Sequence, residues 1–300
     1  MEKATKRGII YLLISSILFG ILPTLGKFIF MELNPILLAF FRMALSVVMF
    51  LIILLVRKEL NILKTITRRD MVILCVVGAL IFALANLFFV IGIDLTTASI
   101  GSLMGNMNKI FFVLFSFFLL KKPVTWRKVL GIALAMLGVF FIVWNGRFSD
   151  ASWDIFFLIG YLLLILTAIL GGEYFTANER YVEKYNTLPM LLIIFIMASI
   201  SIMPFTFPYF LSLGMVTPFT IILLIIAGIA CTSIPYFLFS ESLKHLDAST
   251  ASSVSLTTPL FGTLFATLFL GEIITIFFII GAVLILGGNF LTIKGEHNLN

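Results

Sequence analysis

Long apolar runs constrain this sequence more than any other feature. A helix needs roughly 20 apolar residues to cross the hydrocarbon core of a bilayer, which is about 30 Å thick. The chain holds ten runs of about that length, and no link between them is long enough for a soluble domain. The ten predicted spans cover residues 8–30, 35–56, 71–93, 97–120, 127–145, 155–177, 187–208, 216–240, 248–270 and 273–293.

The composition supports the same interpretation. Hydrophobic residues make up 61% of the 300 residues and charged residues only 11%, whereas a soluble domain carries about 25% charged residues. This composition excludes a cytosolic enzyme, a secreted disulfide scaffold, a disordered protein and an ordinary DNA-binding domain. We therefore predict an all-α membrane protein with ten transmembrane helices.

Basic residues indicate how the chain is oriented. Sixteen of the twenty Lys and Arg residues fall at the two termini and in every second link. All of these segments lie on one side of the membrane if the ten spans are correct. Because Lys and Arg accumulate in cytoplasmic loops, we predict that both termini are cytoplasmic.

An internal repeat appears when the chain is shifted by 150 residues. Gly131 then falls on Gly281 and Gly138 on Gly288, and such glycines let helices approach closely. We predict two repeats, residues 1–150 and 151–300, with five spans each. Since five is odd, the second repeat is inverted, an arrangement typical of secondary transporters with a binding site near the midplane between the halves.

Lys109 is the ionisable residue that lies deepest in a predicted span. A charge in hydrocarbon is costly, so an ionisable residue there is a candidate functional residue. Ser102, Gly105, Asn106 and Lys109 recur at three- and four-residue intervals and share one face of a helix. We predict that this face lines a cavity. The alternative is a structural role for Lys109, in an ion pair or a contact with carbonyls at a helix end.

Two further charged residues lie inside predicted spans. Glu173 is a candidate for pairing with Lys109, binding a cationic substrate or carrying a proton, unless it only reaches the cytoplasmic interface. Arg42 is a candidate for binding substrate, and the alternative is that it anchors its helix at the outer interface or contacts carbonyls at a helix end.

Asn86 and Tyr236 are 150 residues apart, so the repeat places them at related positions. An amide and a phenol in the middle of a membrane need partners. Neighbouring helices can supply those partners, or both groups face a ligand on the axis between the halves. Tyr174, Phe19 and Phe89 are candidates for aromatic surface beside them, although Phe in such a chain also serves packing and lipid contact.

Several chemical signatures are absent from the sequence. It contains no P-loop, no group of His, Cys, Asp or Glu with the spacing of a metal site, and no nucleophile with an evident base. We therefore expect no catalytic residue, no metal and no cofactor. A channel is disfavoured because no filter-like pore loop repeats along the chain.

The ninth span and its flanks carry a family pattern. It reads Thr257-Thr258-Pro259-Leu260-Phe261 and ends at Gly271-Glu272, and Arg42 lies at a position that is usually basic in that family. The chain resembles the EamA type of the drug/metabolite transporter superfamily. The resemblance implies ten helices in two repeats, a location in the plasma membrane of a bacterial cell, and export of amino acids or related metabolites.

We predict a secondary transporter that moves a small polar solute by alternating access. Lys109 favours an anionic or zwitterionic substrate. The alternatives are a transporter of organic cations that uses Glu173, and a membrane scaffold without solute flux. The expected partners are a small-molecule substrate and lipid, without nucleic acid. A coupling proton or ion and the oligomeric state are left open.

Overall fold

The chain is helical throughout its described part, without a β-strand there. The computed structural model describes residues 2–96, 101, 105–121, 125–144, 155–271 and 275–296. Its principal helices are α1 (Glu2–Ile29), α2 (Pro35–Val56), α3 (Arg68–Leu95), α4 (Asn108–Leu120), α5 (Trp126–Trp144), α6 (Ile155–Tyr185), α7 (Thr187–Thr206), α8 (Pro218–Ser242), α9 (Ala248–Leu270) and α10 (Ile276–Glu296). Two 3₁₀ segments, Leu60–Thr65 and Phe207–Met215, lie in links.

Each helix overlaps one of the ten predicted spans, although α4 covers only the second half of the fourth span and α6 extends beyond the sixth. Within the described residues, seven helices are long and apolar enough to cross a membrane: α1, α2, α3, α6, α7, α8 and α9. The helix α4 and residues 276–292 of α10 are shorter apolar helices. The prediction of an all-α, multi-span membrane protein is therefore confirmed.

Polar side chains fix where several helices begin. The Asn34 side chain accepts a hydrogen bond from the backbone N–H of Ile36 at the start of α2 (2.9 Å). Thr67, Thr217 and Asp247 cap α3, α8 and α9 in the same way. These caps satisfy backbone N–H groups that have no partner inside the helix.

Short links make neighbouring helices antiparallel and give the molecule two sides. We call the membrane face at which α1 begins the near side and the opposite face the far side. Helices α2, α4, α6, α8 and α10 then end at the near side, and α1, α3, α5, α7 and α9 end at the far side.

The helix packing shows the internal repeat. Exchanging the two halves maps each helix onto the helix five places away. The contact of α3 with α6 has its counterpart in that of α8 with α1, and the contact of α4 with α6 in that of α9 with α1. The pairs α2–α7 and α5–α10 map onto themselves. Helices of each half thus pack mainly against the other half. The predicted boundary at residue 150 lies outside the described residues and stays a prediction.

Irregular helix segments also repeat with a spacing of about 150 residues. Helix α3 contains a π-helical turn at Val77–Phe82, and α8 contains one at Ile229–Ser233. Helix α4 is preceded by a turn at Met107, and α9 is interrupted after Ser255. The two pieces of α9 are α9a (Ala248–Ser255) and α9b (Thr258–Leu270). The length of the apolar runs does not predict these turns.

Helices α5 and α10 approach each other closely through glycines. A Cβ atom at Gly131 would lie 2.6 Å from the carbonyl oxygen of Gly288, and one at Gly138 would lie 2.5 Å from that of Gly281. Larger residues at these positions would therefore push the helices apart. The packing role that the sequence predicts for these glycines is confirmed.

Candidate functional site

A cavity of about 110 Å³ lies in the middle of the helix bundle. Its wall is built from both halves, by α1, α2, α3 and the region around the start of α4 on one side and by α6, α8 and α9b on the other. A single water needs about 10–15 Å³ on this measure. The cavity therefore has room for several waters or for one small organic molecule.

Six of the seven residues predicted to bind substrate line this cavity, from five different helices or their immediate flanks. They are Arg42, Asn86, Asn106, Lys109, Tyr174 and Tyr236. Gly105, from the predicted polar face, also lines it, while Ser102 lies outside the described residues. That these side chains bind a ligand remains a prediction.

Glu173 is not among the residues that line the cavity. It is half-buried on α6, and it forms no ion pair with Lys109. Helix α6 turns Gly171, Tyr174 and Phe175 towards the cavity. Because successive residues of a helix are separated by about 100°, Glu173 is rotated away from that face.

Arg42 reaches the cavity from the far half of α2. It lies seven residues after Pro35, about 10 Å along the helix, and is 2% exposed. Its Nε donates a hydrogen bond to Oγ1 of Thr232 in the π-helical turn of α8 (2.8 Å), whereas its Nη1 is buried without a partner. This burial excludes an anchoring role at the membrane interface.

Lys109 lies in the first turn of α4 and is 5% exposed. Its ammonium nitrogen lies 3.8 Å from the ring centre of Phe175 and 4.8 Å from that of Phe239. Cation–π contacts of this kind offset part of the cost of burying the charge. Among the residues that the structure describes, Lys109 has no acidic partner, so the alternative of a structural ion pair gains no support.

Two helix ends also meet the cavity. Asn108 and Lys109 open α4, and Thr258 opens α9b; all three line the cavity. The N-terminus of a helix carries a partial positive charge of about half an elementary charge. The two repeat-related interruptions therefore direct two such partial charges at the same space.

Aromatic rings form the remaining wall around Asn86 and Tyr236. The ring of Tyr236 meets those of Phe19, Phe82 and Tyr174 edge-on, at centroid distances of 4.9, 5.2 and 5.7 Å. Asn86 donates a hydrogen bond to the carbonyl of Phe82 in its own helix (2.9 Å) and also lies beside the Tyr236 hydroxyl. The expected Phe89 lines the cavity as well.

A tight layer closes the bundle between the cavity and the near side. Phe112, Phe175 and Phe239 pack together and are all buried. One helical turn further, Ser116 of α4 donates a hydrogen bond to the buried carboxylate of Glu179 on α6 (2.6 Å). These contacts join helices of different halves.

Ion pairs join the halves at the near side itself. Lys128 of α5 pairs with Asp247, which caps α9a, and Asp70 of α3 accepts hydrogen bonds from Lys184 and Tyr185 at the end of α6. Burial by itself would raise the pKa of Asp247, but the ammonium of Lys128 beside it holds that pKa below its ordinary value.

A smaller polar contact joins the halves at the far side. The carboxylate of Glu32 accepts hydrogen bonds from the backbone N–H (2.9 Å) and the hydroxyl of Thr217. The backbone N–H of Thr217 lowers the pKa of Glu32. Behind this exposed contact, buried apolar residues at the end of α1 and the start of α2 pack against the first turns of α8.

Sequence reasoning missed four residues that lie in the cavity or between the cavity and the near side. Asn108 escaped because a continuous helix would place it off the predicted face, and the turn at Met107 shifts the register. Thr167 and Thr258 are hydroxyls among apolar residues and carried no periodic signal. Glu179 was missed because the predicted sixth span ended at residue 177, whereas α6 continues to Tyr185.

Comparison with known proteins places this architecture among transporters. A family model described as "EamA-like transporter family" matches the chain twice, at residues 6–144 and 158–294. The two matches correspond to the two sets of five helices.

Relatives similar to this chain carry the same kind of name. An "Uncharacterized transporter" of Clostridium kluyveri is 23% identical and covers 98% of this chain and 96% of its own length. "Uncharacterized transporter YdfC" of Bacillus subtilis is 26% identical over 88% of this chain and 83% of its own. A solved structure described as "Crystal structure of protein" has a TM-score of 0.80 and 17% identity, covering 100% of this chain and 99% of the other. That last likeness shows the fold alone.

Proposed function

This chain belongs to the EamA-like transporter family, and we propose that it is a secondary transporter that moves a small carboxylate-bearing metabolite, an amino acid or a related solute, by alternating access. The observation that carries the proposal is the cavity between the halves. It presents two buried cations, Arg42 and Lys109, and none of its described lining residues is acidic. A carboxylate is the group that such a site holds best.

Alternating access is supported by the contacts between the halves that close the near side. The aromatic layer and the ion pairs close the near side, while Arg42 and most other lining residues lie in the far half of the bundle. In the proposed cycle this conformation loads or releases solute at the far side. The two related halves supply the second conformation.

The proposed orientation and direction follow the charge distribution and the resemblance. The near side, which carries most of the Lys and Arg residues, is proposed to face the cytoplasm. The solute is proposed to leave the cell, across the plasma membrane, through a multi-pass protein with both termini inside.

The two other candidate functions find less support. A site for organic cations is disfavoured because Arg42 and Lys109 would repel a cationic solute and Glu173 does not line the cavity. A scaffold without flux has no use for two buried cations around an open space, since each cation costs free energy to bury.

Counterflow into liposomes tests the proposal. The purified full-length chain is reconstituted with an unlabelled solute inside, and the uptake of labelled amino acids, organic acids and quaternary amines is compared. We expect uptake of carboxylate-bearing solutes only, and a loss of about tenfold or more in Lys109→Ala. Uptake of quaternary amines alone, or uptake that Lys109→Ala leaves unchanged, contradicts the proposal.

Lys109→Arg and Arg57→Gln serve as controls in that experiment. The first keeps a cation in the cavity and should retain transport. The second removes an exposed cation at the near end of α2 and should behave as the unaltered protein does.

A further inference from the structure

The cavity holds more positive charge than one carboxylate can neutralise. Arg42 and Lys109 reach it from two different helices, and each is at least nine-tenths buried. Neither has an ion-pair partner among the described residues, and the described lining contains no Asp or Glu. Two formal charges therefore face the cavity without a counter-charge from the chain.

The guanidinium of Arg42 has a hydrogen-bond donor that is not used. Its Nε is used by Thr232, while Nη1 is buried without a partner. An unpaired donor in such a place costs free energy, and a ligand oxygen would remove that cost. A carboxylate is the planar acceptor that matches a guanidinium.

Lys109 forms a second and separate point of attraction. Its ammonium is held against the rings of Phe175 and Phe239, which accept no ionic hydrogen bond. It also stands at the N-terminus of α4, whose partial positive charge adds to its own.

From these contacts we propose that the transported solute is a short organic dianion, with one acidic group bound by Arg42 and the other by Lys109 and the start of α4. This inference rests on the proposed function and narrows its substrate class. An amino acid zwitterion would instead bring a third cation into a space that already holds two. The volume of about 110 Å³ limits the solute to a short chain.

A size-matched series of probes tests the charge requirement without altering the protein. Succinate carries two carboxylates, succinamate replaces one of them by an amide, and succinamide replaces both. Binding to the detergent-purified full-length chain is measured by titration calorimetry, and counterflow is measured in liposomes. We expect succinate to bind about 30-fold more tightly than succinamate, because one buried charge loses its partner in succinamate, and succinamide not to bind.

Two variants assign the two ends of the solute. Arg42→Gln and Lys109→Gln each remove one cation, and each should reduce the preference for succinate over succinamate to threefold or less. Arg42→Lys and Lys109→Arg keep the charge and should retain the preference, as should Arg57→Gln. Thermal unfolding without ligand identifies a variant that fails to fold. In that case the probe series on the unaltered chain decides whether the site requires a dianion.

Each outcome distinguishes the inference from the proposed function. 3-Phosphonopropionate carries one phosphonate in place of a carboxylate. It shows whether the second acidic group is a carboxylate or a phosphate-like group. Binding of either dianion supports the inference. Equal binding of succinate and succinamate, or preference for a zwitterionic amino acid, overturns the inference and leaves the transporter intact. Absence of counterflow with every amino acid and organic acid overturns both.

Discussion

Arg42 is held in the cavity by a hydroxyl that a regular helix would not place there. Thr232 lies in the π-helical turn of α8, where its Oγ1 accepts from Arg42 and donates to the carbonyl of Ala227, five residues earlier. The next residue, Ser233, donates in the same way to the carbonyl of Gly228 and also contacts the hydroxyl of Ser46 on α2. The extra residue of a π turn thus directs two hydroxyls towards α2.

Thr232→Val should weaken solute binding by about tenfold, because the side chain keeps its shape but no longer accepts from Arg42. Titration calorimetry of the transported solute measures the effect. Thr232→Ser retains a hydroxyl and should restore most of the affinity. An affinity unchanged in Thr232→Val would show that Arg42 is oriented without this contact.

Lys121 has a strained backbone that its repeat partner avoids. It ends α4 with φ of 55°, and Gly271 ends α9 with φ of 70°. The left-handed region suits Gly and disfavours a residue with a Cβ atom. Lys121→Gly should therefore raise the stability by about 1 kcal/mol, seen as a higher thermal midpoint in detergent. Lys121→Ala, which removes the charge but keeps the Cβ atom, should give no such gain.

Buried charges were predictable from the sequence because charge in hydrocarbon is costly wherever it lies. That reasoning found Arg42 and Lys109 without any knowledge of packing. It could not show that Glu173, unlike Arg42 and Lys109, lies outside the cavity lining. Which face of α6 is turned to the cavity depends on its contacts with α3 and α4. Nor could it find Asn108, whose place depends on the turn at Met107.

At the scale of elements, α5 and α10 depend on glycine at one face only. A Cβ atom at Gly288 would lie 2.7 Å from the backbone nitrogen of Ala135 on α5, whereas no described atom of another helix lies within 4 Å of that position at Gly287. The packing therefore requires glycine at position 288, whereas position 287 has room for a side chain.

Gly288→Ala should destabilise the protein by about 1–3 kcal/mol, because the helices must separate to admit the methyl group. Gly287→Ala is the matched control and should be neutral or slightly stabilising. Thermal unfolding in detergent compares the two. A Gly288→Ala protein as stable as the control would show that the two helices separate without cost.

The cap of α9a links helix formation to pH. Asp247 accepts from the backbone N–H of Thr250 and pairs with Lys128, and its pKa is held below the ordinary value of about 3.9. A lowered pKa contributes stability that is complete above the unfolded-state pKa and is lost as the pH falls through the folded-state pKa.

The thermal midpoint of the unaltered protein should therefore show no loss from this group between pH 5 and pH 8, and should fall below about pH 4. Asp247→Asn should lower the midpoint at neutral pH and flatten the decline in acid. Scanning calorimetry across that pH range measures both. A decline in acid as steep in Asp247→Asn as in the unaltered chain would assign the effect to other carboxylates.

For the molecule as a whole, the near side is closed by charged contacts that cross between the halves. Asp70 with Lys184 and Lys128 with Asp247 each join one half to the other. Lys244 with Glu241 has the same chemistry within a single half (2.8 Å). Of these three pairs, the first two must break if the halves separate on this side, and the third can stay intact.

Asp70→Asn combined with Lys128→Gln should expose to solvent the region around Ser116 and Glu179, between the cavity and the near side. Asn178, next to Glu179 on α6, is fully buried. A cysteine placed there by Asn178→Cys, in a chain with Cys75→Ser and Cys231→Ser, reports the exposure through its rate of reaction with a soluble maleimide. We expect that rate to rise by about fivefold or more. Lys244→Gln should leave it unchanged, and an equal rise there would show that the cross-half pairs do not hold this side closed.

The fold itself was largely predictable, because bilayer thickness fixes helix length and repeated glycines mark the repeat. Each of the helices α1 to α10 overlaps a predicted span for this reason. The interruptions near Met107 and Ser255 could not be predicted from apolar length, since a polar cavity satisfies the backbone groups that an interruption frees.

Lys109 and Pro259 occupy equivalent positions in the two halves, one a cation and the other an imino acid at the start of α9b. The repeat is therefore broken at the very depth where a solute would sit. In the proposed cycle, the loaded protein facing one compartment is therefore not related by a twofold rotation to the loaded protein facing the other. A carrier of this kind binds its solute with different affinities in its two conformations. This difference changes how readily it loads from each compartment but does not change the equilibrium distribution of the solute between them.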